Sequence, residues 1–414
     1  MSNLYSLFQK CGSVCTDTRA LKPGQMFIAL KGENFDGNAF VGKALEAGAA
    51  CVVASIPFDD SRVVTVPDTL EALKELAAQH RRELGIPVIG LTGTNGKTTT
   101  KELIRAVLST KFRVSATEGN LNNEIGVPLS VLKFAADTQL GIIEMGASHP
   151  EDLKPLLAVA QPSCGLITNV GKAHLLGFGS FEGVKHAKGL LYDYLAASGG
   201  TVFANASDPV LTEMLAARGI SPVSYSLDDV SVIPGEACLA FELGGRVVRT
   251  HLVGAYNVAN CLAAITIGRH FGVSLEDAVA AIESYVPSNN RSQLLQTGRN
   301  TVIVDAYNAN PSSMTVALDN LALASAPRAA LLGDMRELGE DSLAEHERIA
   351  STLGRFEKVY LVGPEFTKVA SGTYPCFAAS EDLAAFLSEN PLNGYTILVK
   401  GSRGIRMENV LGAV

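Results

Sequence analysis

The feature that most constrains this chain is a glycine-rich turn between an apolar strand and a helix, at residues 89–100 (IGLTGTNGKTTT). Glycines permit positive φ angles and let backbone N–H groups approach a ligand closely. A helix N-terminus adds unpaired donors and partial positive charge, so the segment predicts a phosphate-binding loop. Lys97 would bring a positive charge to the outer phosphates of a nucleotide, and the Thr98 hydroxyl would reach Mg²⁺.

The spacing of this loop departs from the general phosphate-loop pattern. That pattern has glycine six residues before the lysine, where this chain has Leu91, and Gly93 lies four residues before Lys97 instead. A strand–helix turn that binds nothing is the structural alternative. Such a turn does not explain the Gly-Lys-Thr-Thr-Thr run at the start of the helix, so we favour a nucleotide site.

Composition narrows the class of protein. A chain of 414 residues suggests two to four domains at about 100–200 residues each. Its net charge of −8 argues against a basic face for nucleic acid, and its seven cysteines show no zinc spacing. The N-terminus lacks a signal-peptide pattern, and no uncharged apolar run reaches the roughly 18–20 residues of a membrane span. We therefore expect a soluble, cytoplasmic protein with free thiols.

Short apolar runs alternate with amphipathic stretches, which predicts an α/β fold in three domains. The domains are a small α/β domain (1–84), a central parallel-sheet domain with the phosphate loop (85–286), and a C-terminal Rossmann-like, doubly wound domain (287–414). Turn formers mark both junctions, at residues 85–87 and 287–290. The predicted central strands are residues 87–92, 140–144, 164–169 and 201–204. The C-terminal series alternates strands 301–306, 329–333 and 358–362 with helices 312–323 and 343–353.

Three ionisable residues follow or accompany these central strands. Glu144 ends one apolar strand and His174 follows another, and ligands of open α/β sheets bind at the carboxyl ends of strands. Glu144 is therefore a candidate Mg²⁺ ligand, or else a helix or loop cap. His174 is a candidate ligand or a structural histidine. Lys188 lies on a predicted helix (181–197) among apolar residues, where it is either buried and reactive or a lysine that reaches the surface.

Taken together, these residues resemble the Mur ligase family over nearly the whole chain. Residues 92–99 look like that family's own phosphate loop, which accounts for Leu91. The resemblance implies that ATP contacts Gly93, Thr94, Asn95, Gly96, Lys97, Thr98 and Thr99. It implies that Lys188 is carbamylated, and that Thr98, Glu144, His174 and Lys188 hold two Mg²⁺ ions. Lys97, Glu144, His174 and Lys188 would be the catalytic residues.

Three motifs indicate which branch of the family the chain resembles. They are residues 119–128 (GNLNNEIGVP), 305–314 (DAYNANPSSM) and 332–339 (LGDMRELG). They are similar to the ligase that joins D-alanyl-D-alanine to UDP-N-acetylmuramoyl-tripeptide through an acyl phosphate, in peptidoglycan precursor synthesis. The resemblance implies nucleotide contacts from Asn257, Arg291, Asp305 and Asn308. It implies substrate contacts from Asn120, Asn122 and Asn123, and a grip on the UDP moiety by Thr18, Arg19, Lys31, Asn34 and Asp36.

Some positions leave details of this resemblance open. Tyr256 stands where the family commonly has histidine. Residues 399–403 fit the resemblance, but it assigns no definite role to Lys400 or Arg403. Arg291 is either an inter-domain arginine near ATP or a solvated linker side chain. The residues that would hold UDP read otherwise as an ordinary surface turn.

Rival functions remain at this point. A folylpolyglutamate synthetase is the related ligase, a nucleotide-binding switch would hydrolyse ATP without ligation, and an inactive scaffold paralogue would do neither. The N-terminal segment and the Asn308–Pro311 run speak against the first, and the five residues Lys97, Thr98, Glu144, His174 and Lys188 speak against the last. We expect a monomer.

Overall fold

The computed structural model describes residues 2–32, 35–235, 237–288 and 291–414. Within them the chain forms three successive α/β units, each built on its own sheet. The predicted α/β architecture in three domains is confirmed, and each sheet presents a different set of strand ends.

The first unit is a four-stranded parallel sheet in the order β1-β2-β5-β6, with a short β3–β4 hairpin beyond it. Its elements are α1 Ser2–Cys11, β1 Val14–Cys15, β2 Met26–Ile28, β3 Lys31–Gly32, β4 Phe35–Asp36, α2 Val41–Glu46, β5 Cys51–Ala54, β6 Val63–Thr65 and α3 Thr69–Leu84. Asp68 caps α3 by accepting from the N–H groups of Leu70 and Glu71. The apolar face of α3 joins a core that continues into the second unit, so the first unit packs firmly on the second.

The second unit is a six-stranded, all-parallel sheet in the order β12-β11-β10-β7-β9-β8, with β7, the strand of the phosphate loop, at its interior. Its strands are β7 Val88–Thr92, β8 Val114–Ala116, β9 Leu140–Glu144, β10 Cys164–Ile167, β11 Thr201–Asn205 and β12 Val223–Tyr225. Its helices are α4 Lys97–Leu108, α5 Gly126–Leu132, α6 Leu153–Ala160, α7 Leu175–Phe178, α8 Phe181–Ser198, α9 Pro209–Ala216, α10 Asn257–His270 and α11 Leu275–Ser284. An antiparallel sheet of β13 Val230–Ile233, β14 Ala240–Leu243 and β15 Arg246–Arg249 lies between α9 and α10.

One strand of this sheet is shorter than the sequence predicts. We expect a strand over 164–169, but β10 ends at Ile167. The next two residues leave the sheet because they bind the phosphate loop. The Thr168 hydroxyl donates to the Asn95 carbonyl at 2.7 Å, and the Asn169 side-chain oxygen accepts from the Asn95 N–H at 3.0 Å. The apolar run in the sequence does not show that strand pairing competes here with hydrogen bonds to the phosphate loop.

The third unit is a six-stranded sheet in the order β16-β17-β21-β18-β19-β20, parallel except for β16. Its strands are β16 Gln293–Gln296, β17 Thr301–Asp305, β18 Arg328–Gly333, β19 Lys358–Val362, β20 Cys376–Phe377 and β21 Thr396–Lys400. Its helices are α12 Pro311–Leu323, α13 Ser342–Ala350, α14 Pro364–Ala370 and α15 Ser380–Glu389. Separate apolar cores cover the two faces, as a doubly wound sheet requires.

Candidate active site

A cavity of about 840 Å³ lies where the second and third units meet, at the carboxyl ends of β7, β9, β10 and β17. Polar side chains from both units line it. The residues predicted as site residues that line it are Thr94, Asn95, Gly96, Lys97, Thr99, Asn122, Asn123, Glu144, His174, Asn257, Arg291, Asp305 and Asn308. Fold topology thus gathers residues that are more than 200 positions apart in the chain.

The phosphate loop owes its shape to two glycines. Gly96 caps α4 with a φ of +77°. Gly93 has a φ of +147°, and a Cβ placed there would lie 2.0 Å from the Thr168 hydroxyl oxygen. Lys97 folds back over the loop, where its ammonium donates to the carbonyls of Gly93 (2.8 Å) and Thr94 (3.1 Å). Burial lowers the pKa of Lys97, and the nearby Glu144 carboxylate opposes that shift.

Glu144 is held in place beside this loop. Register pairs it with Leu91 on β7, so its side chain emerges next to the start of the loop. One carboxylate oxygen accepts from the Thr98 hydroxyl at 2.9 Å, and the other accepts from the Asn122 amide at 2.8 Å. These contacts join a strand end, a helix and a loop, so Glu144 does not serve as a helix cap.

Lys188 is buried, with 2% of its surface exposed, which rules out the surface alternative. Its ammonium lies 3.4 Å from the carbonyl oxygen of Ala147, a cavity-lining residue, and 5.4 Å from the centre of the Phe178 ring. Burial lowers the pKa of Lys188 well below its ordinary value, and the charge of Lys97 lowers it further. The neutral, nucleophilic form of this amine is therefore reached at a lower pH than it is for a surface lysine.

His174 lines the cavity from the loop after β10 and starts α7. Its φ of +51° is in the left-handed region, which non-glycine residues rarely adopt. Its Nδ1 contacts the Glu337 carboxylate of the third unit. Burial lowers the pKa of His174, and Glu337 opposes that effect. The imidazole thus faces both a cavity and a carboxylate, unlike a histidine packed into a core.

The third unit contributes cations and an aromatic ring. The Arg291 guanidinium stacks on Tyr307, 3.6 Å from the ring centre, and Arg403 lies 5.5 Å from the same centre. Among the described residues, Arg291 Nε is one of three buried side-chain polar atoms without a hydrogen-bond partner. Lys400, almost fully buried, donates to Asp305 at 2.5 Å and to the Asn308 carbonyl at 3.1 Å. Because its guanidinium stacks on Tyr307 and its Nε is buried, Arg291 is a cavity residue and not a solvated linker side chain.

Direct contacts connect the second and third units across the cavity. The Asn310 amide donates to the Asn95 side-chain oxygen at 2.8 Å, so the third unit touches the phosphate loop itself. Lys172 pairs with Glu345 at 3.3 Å at another point of the same interface. The structure therefore has the two units closed over the cavity.

Tyr256 and Asn257 start α10 on the wall of the cavity. The Tyr256 hydroxyl hydrogen-bonds Ser292 at 2.9 Å. The Asn257 amide donates to the Val253 carbonyl at 2.9 Å, and its oxygen accepts from Asn260 at 2.8 Å. At the position where the family commonly has histidine, Tyr256 thus links the second unit to the start of the third.

The residues expected to hold UDP do not line this cavity. Thr18 and Arg19 follow β1, and Lys31 pairs with Asp36 across the hairpin after β2. Since β1 and β2 are adjacent and parallel, these positions share one edge of the first sheet. Arg19 pairs with Asp17 at 2.7 Å, and Asp36 accepts from the Asn38 N–H at 2.9 Å. Asn34 lies outside the described residues. Asn120 is exposed and outside the cavity wall, whereas Asn122 and Asn123 line the cavity.

Sequence reasoning gave no separate role to several residues of the site. Asn310 and Glu337 both lie inside motifs that the sequence singles out, so a signal was present. Tyr307, which stacks on Arg291, lies in the same motif as Asn310. Asn169, which holds the loop backbone, had no signal beyond its position at the end of a predicted strand.

Two structural absences apply to the described ranges. Within them, no group of three or more His, Cys, Asp or Glu side chains is arranged to hold a metal ion. No helix there is long and apolar enough to cross a bilayer. The carboxylate, imidazole and hydroxyl of Glu144, His174 and Thr98 would need a further oxygen ligand to form a cation site.

Comparison with family models accounts for most of the chain. Residues 11–81 match the model described as Mur ligase family, catalytic domain. Residues 91–268 match the Mur ligase middle domain, and residues 290–403 match the Mur ligase, glutamate ligase domain.

Individual proteins agree with these matches. The UDP-N-acetylmuramoyl-tripeptide–D-alanyl-D-alanine ligase of Bacillus subtilis (strain 168) is 36% identical over 96% of this chain and 92% of its own length. A crystal structure of MurF from Acinetobacter baumannii superposes with a TM-score of 0.89 at 29% identity, over 99% of this chain and 97% of that one. The MurF ligase of Thermotoga maritima in complex with ADP gives 0.87 at 27% identity, over 98% and 97%.

Proposed function

The chain belongs to the Mur ligase family, and on that premise we propose that it joins D-alanyl-D-alanine to UDP-N-acetylmuramoyl-tripeptide at the expense of ATP. It is an ATP-dependent ligase that forms a carbon–nitrogen bond. The observation that carries the proposal is that Lys97, Glu144 and His174 line one inter-domain cavity together with the phosphate loop, while Lys188 lies buried against its wall at Ala147.

The proposed reaction has two steps. An oxygen of the tripeptide's terminal carboxylate attacks the γ-phosphorus of ATP, the bond to the bridging oxygen breaks, and ADP leaves. The amine of the dipeptide then attacks the carbonyl carbon of the acyl phosphate, loses a proton, and inorganic phosphate leaves. Phosphoryl transfer depends mainly on alignment and charge neutralisation. Lys97 of the phosphate loop and Arg291, whose Nε has no hydrogen-bond partner, both line the cavity and supply positive charge to it.

Four residues would hold two Mg²⁺ ions: Thr98, Glu144, His174 and a carbamylated Lys188. Mg²⁺ would neutralise phosphate oxygens when bound. The donor set fits, because Thr98 and Asn122 already orient the Glu144 carboxylate beside the phosphate loop. A neutral amine attacks carbon dioxide and releases a proton, and burial favours that neutral form of Lys188. The resulting carbamate supplies the missing hard oxygen ligand.

The residues on the walls of the cavity support proposed positions for the remaining ligands. Asn257, Asp305 and Asn308 would contact the nucleotide, and Asn122 and Asn123 the sugar-linked peptide. Asn120 and the edge residues Thr18, Arg19, Lys31 and Asp36 would hold the UDP end on the first domain, which also includes Asn34. We assign the domains to residues 1–84, 85–286 and 287–414, and further propose a monomer that works in the cytoplasm.

Closure of the third domain would keep water away from the acyl phosphate, which water would otherwise hydrolyse. The contact between Asn310 and Asn95 supports this role, because it couples the domain interface to the phosphate loop. The match of residues 11–81 to a Mur ligase domain disfavours a folylpolyglutamate synthetase.

The proposal is tested by measuring ADP release with ATP, Mg²⁺ and UDP-N-acetylmuramoyl-tripeptide, with and without D-alanyl-D-alanine. We expect sustained ADP release and an amide product, seen by mass spectrometry, when the dipeptide is present. Slow ADP release that is indifferent to the dipeptide would favour a nucleotide switch and reject the ligase. A pterin-linked glutamate acceptor is the control substrate for the related synthetase.

A further inference from the structure

The contact between Glu337 and His174 crosses the interface between the second and third domains. Glu337 belongs to the loop after β18, whereas His174 belongs to the loop after β10. The Glu337 side chain is 60% exposed and that of His174 34%, so the pair lies at the rim of the cavity.

Both residues have a backbone conformation that L-amino acids rarely adopt. His174 has a φ of +51° and Glu337 a φ of +65°. In the described chain, five non-glycine residues have positive φ, and these two face each other. Such conformations are energetically costly and cluster at functional sites. The energetic cost on both sides of one contact indicates that the contact serves more than general adhesion.

The Glu337 loop is fixed to the third domain by its neighbours. The Met335 N–H donates to His346 Nε2 at 3.0 Å, and the Arg336 N–H donates to the Ser402 hydroxyl at 2.9 Å. His346 is fully buried, and its Nδ1 donates to the Ser342 carbonyl at 2.7 Å. Glu337 is therefore presented by a rigid loop, and its carboxylate moves with the whole third domain.

The chemistry of a histidine ligand gives this contact a purpose. A histidine that binds a cation usually donates its second ring N–H to a carboxylate or carbonyl, which fixes the tautomer and the ring orientation. With Nδ1–H directed to Glu337, His174 Nε2 keeps its lone pair for a cation. Since Glu337 comes from the third domain, this orientation exists when the two domains are closed.

We propose that Glu337 is a positioning residue that orients His174 and thereby completes, on domain closure, the cation site to which His174 contributes. The inference rests on the proposed function, because it assumes that His174 binds a divalent cation. It makes cation binding and domain closure mutually dependent, so that the acyl phosphate forms in the closed enzyme.

The structure offers a matched control for a simple inter-domain ion pair. Lys172 and Glu345 bridge the same two domains at 3.3 Å without touching His174. If Glu337 only helped the domains to adhere, Lys172→Met should have the same effect as Glu337→Ala. Glu337→Gln keeps an acceptor oxygen without the charge, so it should fall between wild type and Glu337→Ala.

The test is a Mn²⁺ titration of the full chain with a non-hydrolysable ATP analogue, with free Mn²⁺ followed by electron paramagnetic resonance. Wild type should bind two ions. Glu337→Ala should raise the dissociation constant of one of the two sites by about 10–100-fold and leave the other unchanged, while Lys172→Met matches wild type. Excess Mg²⁺ should partly restore ligation by Glu337→Ala.

Three results would be adverse, and they are distinguishable. Unchanged Mn²⁺ affinities in Glu337→Ala would overturn the positioning role and leave the proposed function standing. Equal losses in Glu337→Ala and Lys172→Met would reduce the contact to adhesion and overturn it too. A wild-type chain that binds a single ion would reject the two-cation site of the proposed function and, with it, this inference.

Discussion

Replacing Lys188 separates the chemistry of the proposed site from its packing. The side chain is 2% exposed, so Lys188→Ala removes three buried methylenes, which at about 0.8 kcal/mol each costs about 2.4 kcal/mol of folding free energy. Loss of the buried amine offsets part of that cost, because burial disfavours its charged form. Lys188→Met keeps the length and volume of the stem, so its cost should stay below about 1.5 kcal/mol.

The effect of both variants on ligation should be far larger. Loss of a carbamate ligand weakens the binding of a cation that stabilises the charge of the transition state by several kcal/mol. A loss of about 4 kcal/mol corresponds to about a 10³-fold lower rate. We therefore expect both variants to lose ligation while they retain the fold, as followed by ADP release and by thermal unfolding. Wild-type activity should fall when dissolved carbon dioxide is stripped and return with bicarbonate.

Lys185→Met is the matched control on the same helix. Lys185 pairs with Glu213 at 3.0 Å on the surface, and such pairs are worth roughly 0–1 kcal/mol, so activity should stay within about twofold of wild type. Ligation by Lys188→Met at the wild-type rate would refute the carbamate argument. Equal losses of ligation in Lys188→Met and Lys185→Met would show that a disturbed helix, and not the missing amine of Lys188, causes the loss.

Three further predictions address the loop, the interface and the pH response. Gly93→Ala should weaken ATP binding at least tenfold in calorimetry, or about 1.4 kcal/mol, because its Cβ would lie 2.0 Å from the Thr168 hydroxyl oxygen; wild-type affinity would contradict the loop geometry. Asn310→Ala removes the 2.8 Å contact to Asn95, so small-angle scattering should show a more open chain with ATP than for wild type, and identical dimensions would argue against closure through this contact. Burial lowers the pKa of His80, so the unfolded state takes up a proton that the folded state resists, and stability should decline as pH falls below about 6.5. Unfolding titrations of His80→Gln should show a shallower decline, and an unchanged slope would assign the response to other groups.

Much of this architecture could be predicted from the sequence because its signals are local. The strand–glycine–helix pattern located β7 and α4, and apolar runs ending in a polar residue located β9 and its Glu144. Strand ends of a parallel sheet share an edge, so the meeting of Glu144 and the phosphate loop followed from topology alone. Burial of Lys188 did not follow in this way, because the apolar residues around it on one helix also allowed a lysine that reaches the surface, and the structure decides for the buried form.

Contacts between domains could not be predicted in the same way. Nothing local to Asn310 or Glu337 tells which surface of another domain it will touch, and both partners are distant in the chain. The early end of β10 has a similar origin, since Thr168 and Asn169 exchange strand pairing for hydrogen bonds to the phosphate loop. The edge residues of the first domain form one sheet edge, but their UDP contacts stay a prediction.

Transfer of an isotope from substrate to phosphate tests the central claim most directly. In the proposed reaction, ATP phosphorylates the tripeptide carboxylate and the amine of the dipeptide displaces that phosphate. With ¹⁸O in the terminal carboxylate of UDP-N-acetylmuramoyl-tripeptide, ligation to D-alanyl-D-alanine should place one ¹⁸O atom in each molecule of inorganic phosphate, measured by mass spectrometry. Inorganic phosphate released without the label while the amide forms would contradict an acyl phosphate on this enzyme.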